Sequence, residues 1–174
     1  MKRSMFLSYL WRTLKIVGCV VFALIFLRTF VIETGRVNGV SMETTFLDNE
    51  TFFVDKFSLL VSPPSRGQVI QCRNPLAEGG LLIKRVIGLP GEYVRVHGNA
   101  VTVVDANGNE IRLNETYVKA GAITQTWNFE SGDYPLIGPD EYFVLGDNRR
   151  ESGDSRNFGP IKRVDILGSV ISAL

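Results

Sequence analysis

Leu81-Leu82-Ile83-Lys84-Arg85-Val86-Ile87, followed by Gly88-Leu89-Pro90-Gly91-Glu92 and then Tyr93-Val94-Arg95-Val96, decides the architecture of this 174-residue chain. The first segment is a short run of Leu, Ile and Val with the length of a strand. Leu89-Pro90-Gly91 stops it sharply, and residues 93–96 start a second strand. The same grammar continues in both directions. Upstream, residues 51–56 alternate weakly, Ser62-Pro63-Pro64-Ser65-Arg66-Gly67 breaks the chain, and residues 67–72 are strand-like before a Gly79-Gly80 turn. Downstream, residues 101–104 and Ile111 flank Asn107-Gly108, a pair that supplies the positive φ angles of a tight hairpin. Residues 141–145 and 166–171 give two late strands, whereas 113–139 is polar, turn-rich and without helical period. Many short strands at close spacing predict a mainly β body. Residues 97–139 are predicted to be a small β insertion, because the most informative segments lie on either side of them.

Working back to the N-terminus, the net charge of +1 conceals an asymmetry. Residues 1–32 carry Lys2, Arg3, Arg12, Lys15 and Arg28 and no acid; removing these from the 19 basic residues leaves 14 against 18 acidic ones. A basic head on a mildly acidic body suits membrane insertion with the head in the cytoplasm, and gives nucleic-acid binding no support. The uninterrupted apolar run, residues 16–27, is too short to span a bilayer alone. If Lys15 and Arg28 snorkel, residues 14–32 supply about 28 Å of helix at roughly 1.5 Å per residue, against a bilayer core of about 30 Å. A removable signal peptide is the first rival, but the run leads into Arg28-Thr29-Phe30-Val31-Ile32-Glu33 rather than a small-residue cleavage site. A buried soluble helix is the second, with Trp11, Cys19 and aromatics on all sides. The expected organisation is a cytoplasmic segment 1–13, one transmembrane anchor 14–32, and an outer catalytic domain of 33–96 and 140–174. Cys19 lies in the anchor and Cys72 stands alone outside it, so the body has no internal disulfide.

Two residues sit in contexts that suit one chemistry. Ser41 lies in Val37-Asn38-Gly39-Val40-Ser41-Met42, just beyond the anchor, where Gly39 permits a tight turn and local amides could meet an oxyanion. Taken by its local sequence alone, a serine in such a setting is more often an ordinary surface-turn residue. Alternation puts Leu82, Lys84 and Val86 on one strand face and Leu81, Ile83, Arg85 and Ile87 on the other. A lysine among apolar neighbours loses hydration of its charged form, and moving it from about 10.4 to near 7 takes roughly 4 kcal/mol. Arg85 cannot serve as base, because it stays protonated. Periodicity alone leaves open which of Lys84 and Arg85 faces inward. The only histidine, His97, belongs to a Gly-Asn turn, so a serine hydrolase here would need lysine as its base.

The third segment, Gly146-Asp147-Asn148-Arg149-Arg150-Glu151-Ser152-Gly153-Asp154-Ser155-Arg156-Asn157-Phe158-Gly159, has the composition of a loop held by side-chain hydrogen bonds. It reads as a polar turn with an internal ion pair or as a brace for an active site. Asp147 and Asp154 lack metal-loop spacing and are interleaved with arginines, so neither metal nor cofactor is expected.

With these segments in hand, the chain resembles the bacterial type I signal peptidases (leader peptidases). Four segments occur in the family's order: Leu27-Arg28-Thr29-Phe30-Val31-Ile32-Glu33 at the membrane exit, Gly39-Val40-Ser41-Met42-Glu43-Thr44-Thr45, Lys84-Arg85-Val86-Ile87-Gly88-Leu89-Pro90-Gly91-Glu92, and the Gly146–159 loop. The resemblance implies a signal-peptidase-like β fold behind one transmembrane helix. It implies Ser41 as nucleophile, Lys84 as general base and then acid, and the Ser41 backbone amide as part of the oxyanion hole. Ser152 is placed against the lysine amine, with Asp154, Arg156 and Arg85 in supporting ion pairs. Gly39 stands where some members carry an extra hydroxyl donor, which matches the single-anchor Gram-positive type. Val37, Met42, Phe46 and Ile83 are the expected walls of the substrate pocket. The implied activity is removal of signal peptides from exported preproteins after a small-x-small, Ala-x-Ala-like site. The implied partners are preprotein signal peptides and membrane lipid, and a monomer is expected in the plasma membrane.

Two departures bear on substrate preference. The family's Pro-Thr-Leu after the nucleophile is Thr44-Thr45-Phe46 here, and Arg66-Gly67-Gln68-Val69-Ile70-Gln71-Cys72 carries glutamine where acidic and apolar residues are common. The rival readings are a signal-peptidase-like pilus-assembly or chaperone factor, a peptidase restricted to specialised substrates, and a LexA-like self-cleaving protein. The last shares the dyad but not the anchor or the Asp-Ser-Arg loop.

Overall fold

The first element is a helix, α1 (Lys2–Phe30), whose stretch Phe6–Phe26 spans 21 residues at a mean hydropathy of 1.7 with none of it buried against the body. At about 1.5 Å per residue this stretch is about 31 Å long, the thickness of a bilayer core. The helix therefore has the length and composition of a membrane anchor, and it ends at Phe30, two residues before the expected boundary at 32. The structure, a computed structural model, describes residues 2–126 and 132–173.

The body is antiparallel. Strands β1 (Ile32–Arg36), β2 (Thr51–Asp55), β3 (Val69–Arg73), β4 (Leu81–Gly88), β8 (Glu141–Leu145), β9 (Ile161–Lys162) and β10 (Ile166–Ala173) form one sheet in the order β1-β2-β10-β3-β4-β8-β9. A smaller sheet joins β5 (Tyr93–His97), β6 (Ala100–Val104) and β7 (Glu110–Arg112). The Asn107-Gly108 hairpin forms as expected, with Asp105 Oδ1 accepting the Asn107 and Asn109 N–H groups. Two helices of one turn each, α2 (Ser58–Val61) and α3 (Ser155–Phe158), complete the described elements with a 3₁₀ turn at Arg163–Asp165.

The insertion starts earlier than residue 97. All five residues of β5 pair with β6, so the small sheet begins at Tyr93, directly after the Leu89-Pro90-Gly91 break. The returning chain is tied to β5 by Tyr134 N–H to Val94 O and to the Leu89-Pro90-Gly91 turn by Gly91 N–H to Ile137 O. Residues 127–131 of the expected insertion, and residue 174 of the expected catalytic domain, lie outside the described residues.

The register of β4 decides which of its side chains share a face. Ile70 opposes Lys84, and Gln71 opposes Ile83. Directly opposed residues project to the same side of a sheet. Leu82, Lys84 and Val86 therefore share the face of Ile70 and Cys72, while Ile83 and Arg85 share that of Val69 and Gln71. Each face meets its own apolar cluster: Ile70, Cys72, Val86 and Val144 on one, Val37, Met42, Phe52 and Ile83 on the other. Burial of each such side chain is worth about 1.5–3 kcal/mol. Both faces are thus covered, which accounts for the nearly continuous apolar run.

Candidate active site

The Ser41 segment is a closed loop between β1 and β2. Val37 N–H donates to Glu50 O and Asn49 N–H to Val37 O, fastening its ends. Gly39 sits at φ 100°, where the missing Cβ matters, and its N–H donates to Asp48 Oδ1 at 2.8 Å. Met42 is fully buried and anchors the loop, and its carbonyl accepts from Thr45 and Phe46. On the other side, Asn148 N–H donates to Ser41 O and Asn148 Nδ2 to Val40 O, both at 3.1 Å. The fit needs Gly146: a Cβ there would lie 2.1 Å from Ser152 Oγ and 2.5 Å from Ser41 O. Among the described residues the Ser41 N–H has no acceptor, so it is available to an incoming oxygen.

Lys84 is 1% exposed, and its Nζ lies 2.7 Å from Ser41 Oγ and donates to Ile83 O at 2.9 Å. Burial holds the ammonium pKa below its ordinary value. Asp154, Cys72 and Asp147 oppose that shift, and Arg156 adds to it. Cys72 is itself pushed up to about 12 by burial, so it remains a neutral thiol beside the lysine. His97 is exposed at the end of β5, 3.5 Å from Asp133.

Around the pair stand three bidentate guanidinium–carboxylate forks. Arg85 grips Asp147 (Nε–Oδ1 2.8 Å, Nη2–Oδ2 2.6 Å), and Thr45 Oγ1 donates to the same carboxylate. Arg156 grips Asp154 (both contacts 2.8 Å), and Asp154 also caps α3 and accepts the Gly146 N–H. Arg149 grips Glu115 (2.9 and 2.5 Å) and donates to Gly146 O. Such forks fix two planes against each other, which point charges cannot do. The expected partnership of Asp154 and Arg156 is present, whereas Arg85 pairs with Asp147.

Ser152 differs from expectation. Its hydroxyl is buried and has no hydrogen-bond partner, and Lys84 instead uses Ile83 O. Packed against the bare Cα of Gly146, it fills space beside the Ser41 loop without bonding to the amine.

A cavity of about 290 Å³ opens beside Ser41 and Lys84, lined by residues 33–36 of β1, Val37 and residues 81–83 of β4, with Phe52 and Gln71. Both flanking strands offer free edges there. Among the described residues β1 pairs only with β2, and β8 covers β4 only from Arg85 onward. Val37 and Ile83 line this cavity. Met42 and Phe46 do not: they belong to the apolar cluster, where they support the loop from the inside.

Sequence reasoning missed Glu115, Tyr117 and Thr124, all from the turn-rich stretch after β7. Tyr117 lays its ring over the Arg85 guanidinium, 3.9 Å from centroid to Cζ, and its carbonyl accepts from Thr44 Oγ1. Thr124 Oγ1 accepts from Arg149, and Gln125 O from Arg156. A carboxylate followed closely by tyrosine is too common a pattern to signal this role.

Thr44 has φ 93°, a conformation closed to proline, whose ring holds φ near −65°. The Thr for Pro departure thus goes with a differently turned loop. Thr44→Pro is expected to destabilise the protein by more than about 1 kcal/mol, read as a lowered thermal midpoint. Wild-type stability in that variant would contradict the left-handed turn.

A model of the family described as signal peptidase, peptidase S26, matches residues 10–174 of this chain. The chain is similar to a signal peptidase I of Leptolyngbya laminosa, at 35% identity over 172 residues, covering 94% of this chain and 79% of that protein. It is also similar to signal peptidase I V of Bacillus subtilis strain 168, at 34% identity over 146 residues, covering 79% and 83%. A crystal structure of a signal peptidase I from Enterococcus faecalis V583 aligns with 64% of this chain and 98% of its own, at 29% identity and a TM-score of 0.49.

Proposed function

The chain belongs to the signal peptidase family, peptidase S26, and on that premise we propose that Ser41 and Lys84 carry its reaction at the outer surface of the plasma membrane. It is a serine peptidase that removes signal peptides from preproteins. The observation that carries the assignment of residues is the 2.7 Å contact between Ser41 Oγ and a buried Lys84 Nζ.

With Lys84 neutral, the contact reverses its donor, and the Ser41 hydroxyl donates to Nζ. Ser41 Oγ attacks the carbonyl carbon of the scissile bond as its proton passes to Lys84. The Ser41 N–H, free of other acceptors, donates to the oxyanion. Collapse breaks the C–N bond, and the Lys84 ammonium gives its proton to the departing amine of the mature protein. The signal peptide is then an ester on Ser41. A water molecule surrenders a proton to Lys84, attacks the ester carbon and releases the peptide as a carboxylic acid. The lysine returns its proton to Ser41 Oγ, so both groups end as they began.

The substrate lies extended between the free edges of β1 and β4, adding main-chain hydrogen bonds as a strand and turning alternate side chains into the cavity. Small residues at the first and third positions before the cut suit a pocket of this volume, giving a small-x-small site. α1 holds the body at the bilayer, and the basic residues at the start of the chain keep the N-terminus in the cytoplasm.

Only the neutral amine acts as base, so activity rises with pH as Lys84 loses its proton. Because burial lowers that pKa, the rising limb lies below the ordinary lysine value of 10.5. A pH profile of kcat/KM on a peptide substrate tests this. A limb that falls through the same range, or an acid optimum, contradicts a lysine base.

A further inference from the structure

Gln71 in β3 and Gln68, just before that strand, are treated differently by the fold. Gln68 is fully engaged: its Nε2 donates to Ser169 Oγ at 2.7 Å, and its Oε1 accepts the Ser65 N–H at 3.0 Å. Gln71, three residues on, is 5% exposed, lines the cavity beside Ser41, and its Oε1 has no hydrogen-bond partner. A buried amide oxygen left in this state costs about 1–3 kcal/mol, and none of the side chains that line the cavity with it, polar or apolar, bonds to it. It directly opposes Ile83 on β4 and Gly168 on β10, and Phe52 and Val37 line the same cavity. An aliphatic residue would fill the same position without any cost.

We infer that Gln71 is a specificity-determining residue, which makes the cleft favour substrates with a short hydroxyl-bearing side chain, serine or threonine, at one of the two small positions before the cut. The inference rests on the proposed dyad and cleft. Gln71 shares the sheet face of Ile83, the residue next to Lys84, so a peptide laid along the free edge of β4 turns alternate side chains toward it. A serine hydroxyl entering there donates to Oε1 and completes the amide, while an alanine methyl leaves it bare. Discrimination of this kind is large for its size, because the penalty falls on the substrate that lacks the partner.

The test uses the full chain in detergent and four peptides that differ only at the first and third positions before the cut, as Ala-x-Ala, Ser-x-Ala, Thr-x-Ala and Ala-x-Ser. The wild type is expected to favour a hydroxyl-bearing peptide over Ala-x-Ala by roughly five- to tenfold in kcat/KM. Gln71→Val is expected to reverse that order. A wild type that prefers Ala-x-Ala over all three others overturns the inference whether or not the variant folds. An unchanged ratio in a folded Gln71→Val protein, as expected if water alone satisfies the amide, overturns it too. Failure of the folded wild type to cleave any of the four overturns both the inference and the dyad reading beneath it.

Discussion

Lys84→Ala is expected to lower kcat/KM by roughly 10⁴-fold or more, with the fold retained. The size follows from the geometry. With no amine 2.7 Å from Ser41 Oγ, the hydroxyl has no base, and the exposed His97 in the small sheet cannot substitute. Lys84→Met separates chemistry from packing, since it restores volume and removes only the amine. It should be as inactive as the alanine variant and at least as stable as the wild type at neutral pH. The sign follows from linkage. A lysine pKa lowered by burial means the native state binds fewer protons than the unfolded chain, so wild-type stability rises with pH up to about 10.5. Methionine has no ammonium to bury and should flatten that slope. Chemical denaturation at two pH values beside a peptide assay reads both effects; activity within tenfold of wild type in either variant would remove Lys84 from the mechanism.

Glu115→Ala carries the second large effect, although its residue lies in what the chain's patterning marks as an insertion. Arg149 is almost wholly buried and leans on Glu115 through two contacts. Truncating the carboxylate strands a buried guanidinium, at a cost of about 3–5 kcal/mol. The same arginine holds Gly146 O, and Gly146 lies against the Ser41 carbonyl, so the Ser41 loop loses its outer wall. A fall of roughly 10²-fold in kcat is expected at temperatures where the variant is still folded. Pairing Glu115→Ala with Arg149→Met should recover much of the stability, because the orphaned charge is removed. Recovery of stability without recovery of kcat would identify the fork as a positioning device. A Glu115→Ala protein within about 0.5 kcal/mol of wild type would contradict the account of the buried fork.

The strand at residues 81–88 was legible because its apolar run is bounded by unambiguous breakers, and the anchor because no acid interrupts residues 1–32. Ser41 and Lys84 were legible as a pair of contexts, but their contact was not, since it depends on which face of β4 turns toward the Ser41 loop. That choice is set by pairing with β3, 12 residues upstream in register (Gln71 against Ile83). The pocket shows the same limit. Alternation assigns residues to faces within a strand, yet Met42 and Phe46 lie in a loop that folds inward to the core, while Phe52 of β2, itself part of that core, and Gln71 of β3 also line the cavity. Glu115 was out of reach for a different reason: its partner lies 34 residues away, and nothing local distinguishes a carboxylate that will be buried from a solvated one. Ser152 went to the right neighbourhood but not to the bond. Van der Waals contact with Gly146, rather than a lysine amine, defines its place.

The most direct test of the dyad is cleavage of a preprotein bearing a small-x-small site by the detergent-solubilised full chain, beside its Ser41→Ala variant. The wild type should cut after that site, and the variant should not at equal folded concentration. Cleavage that persists in Ser41→Ala, with purity controlled by the Lys84→Met protein, would contradict the dyad.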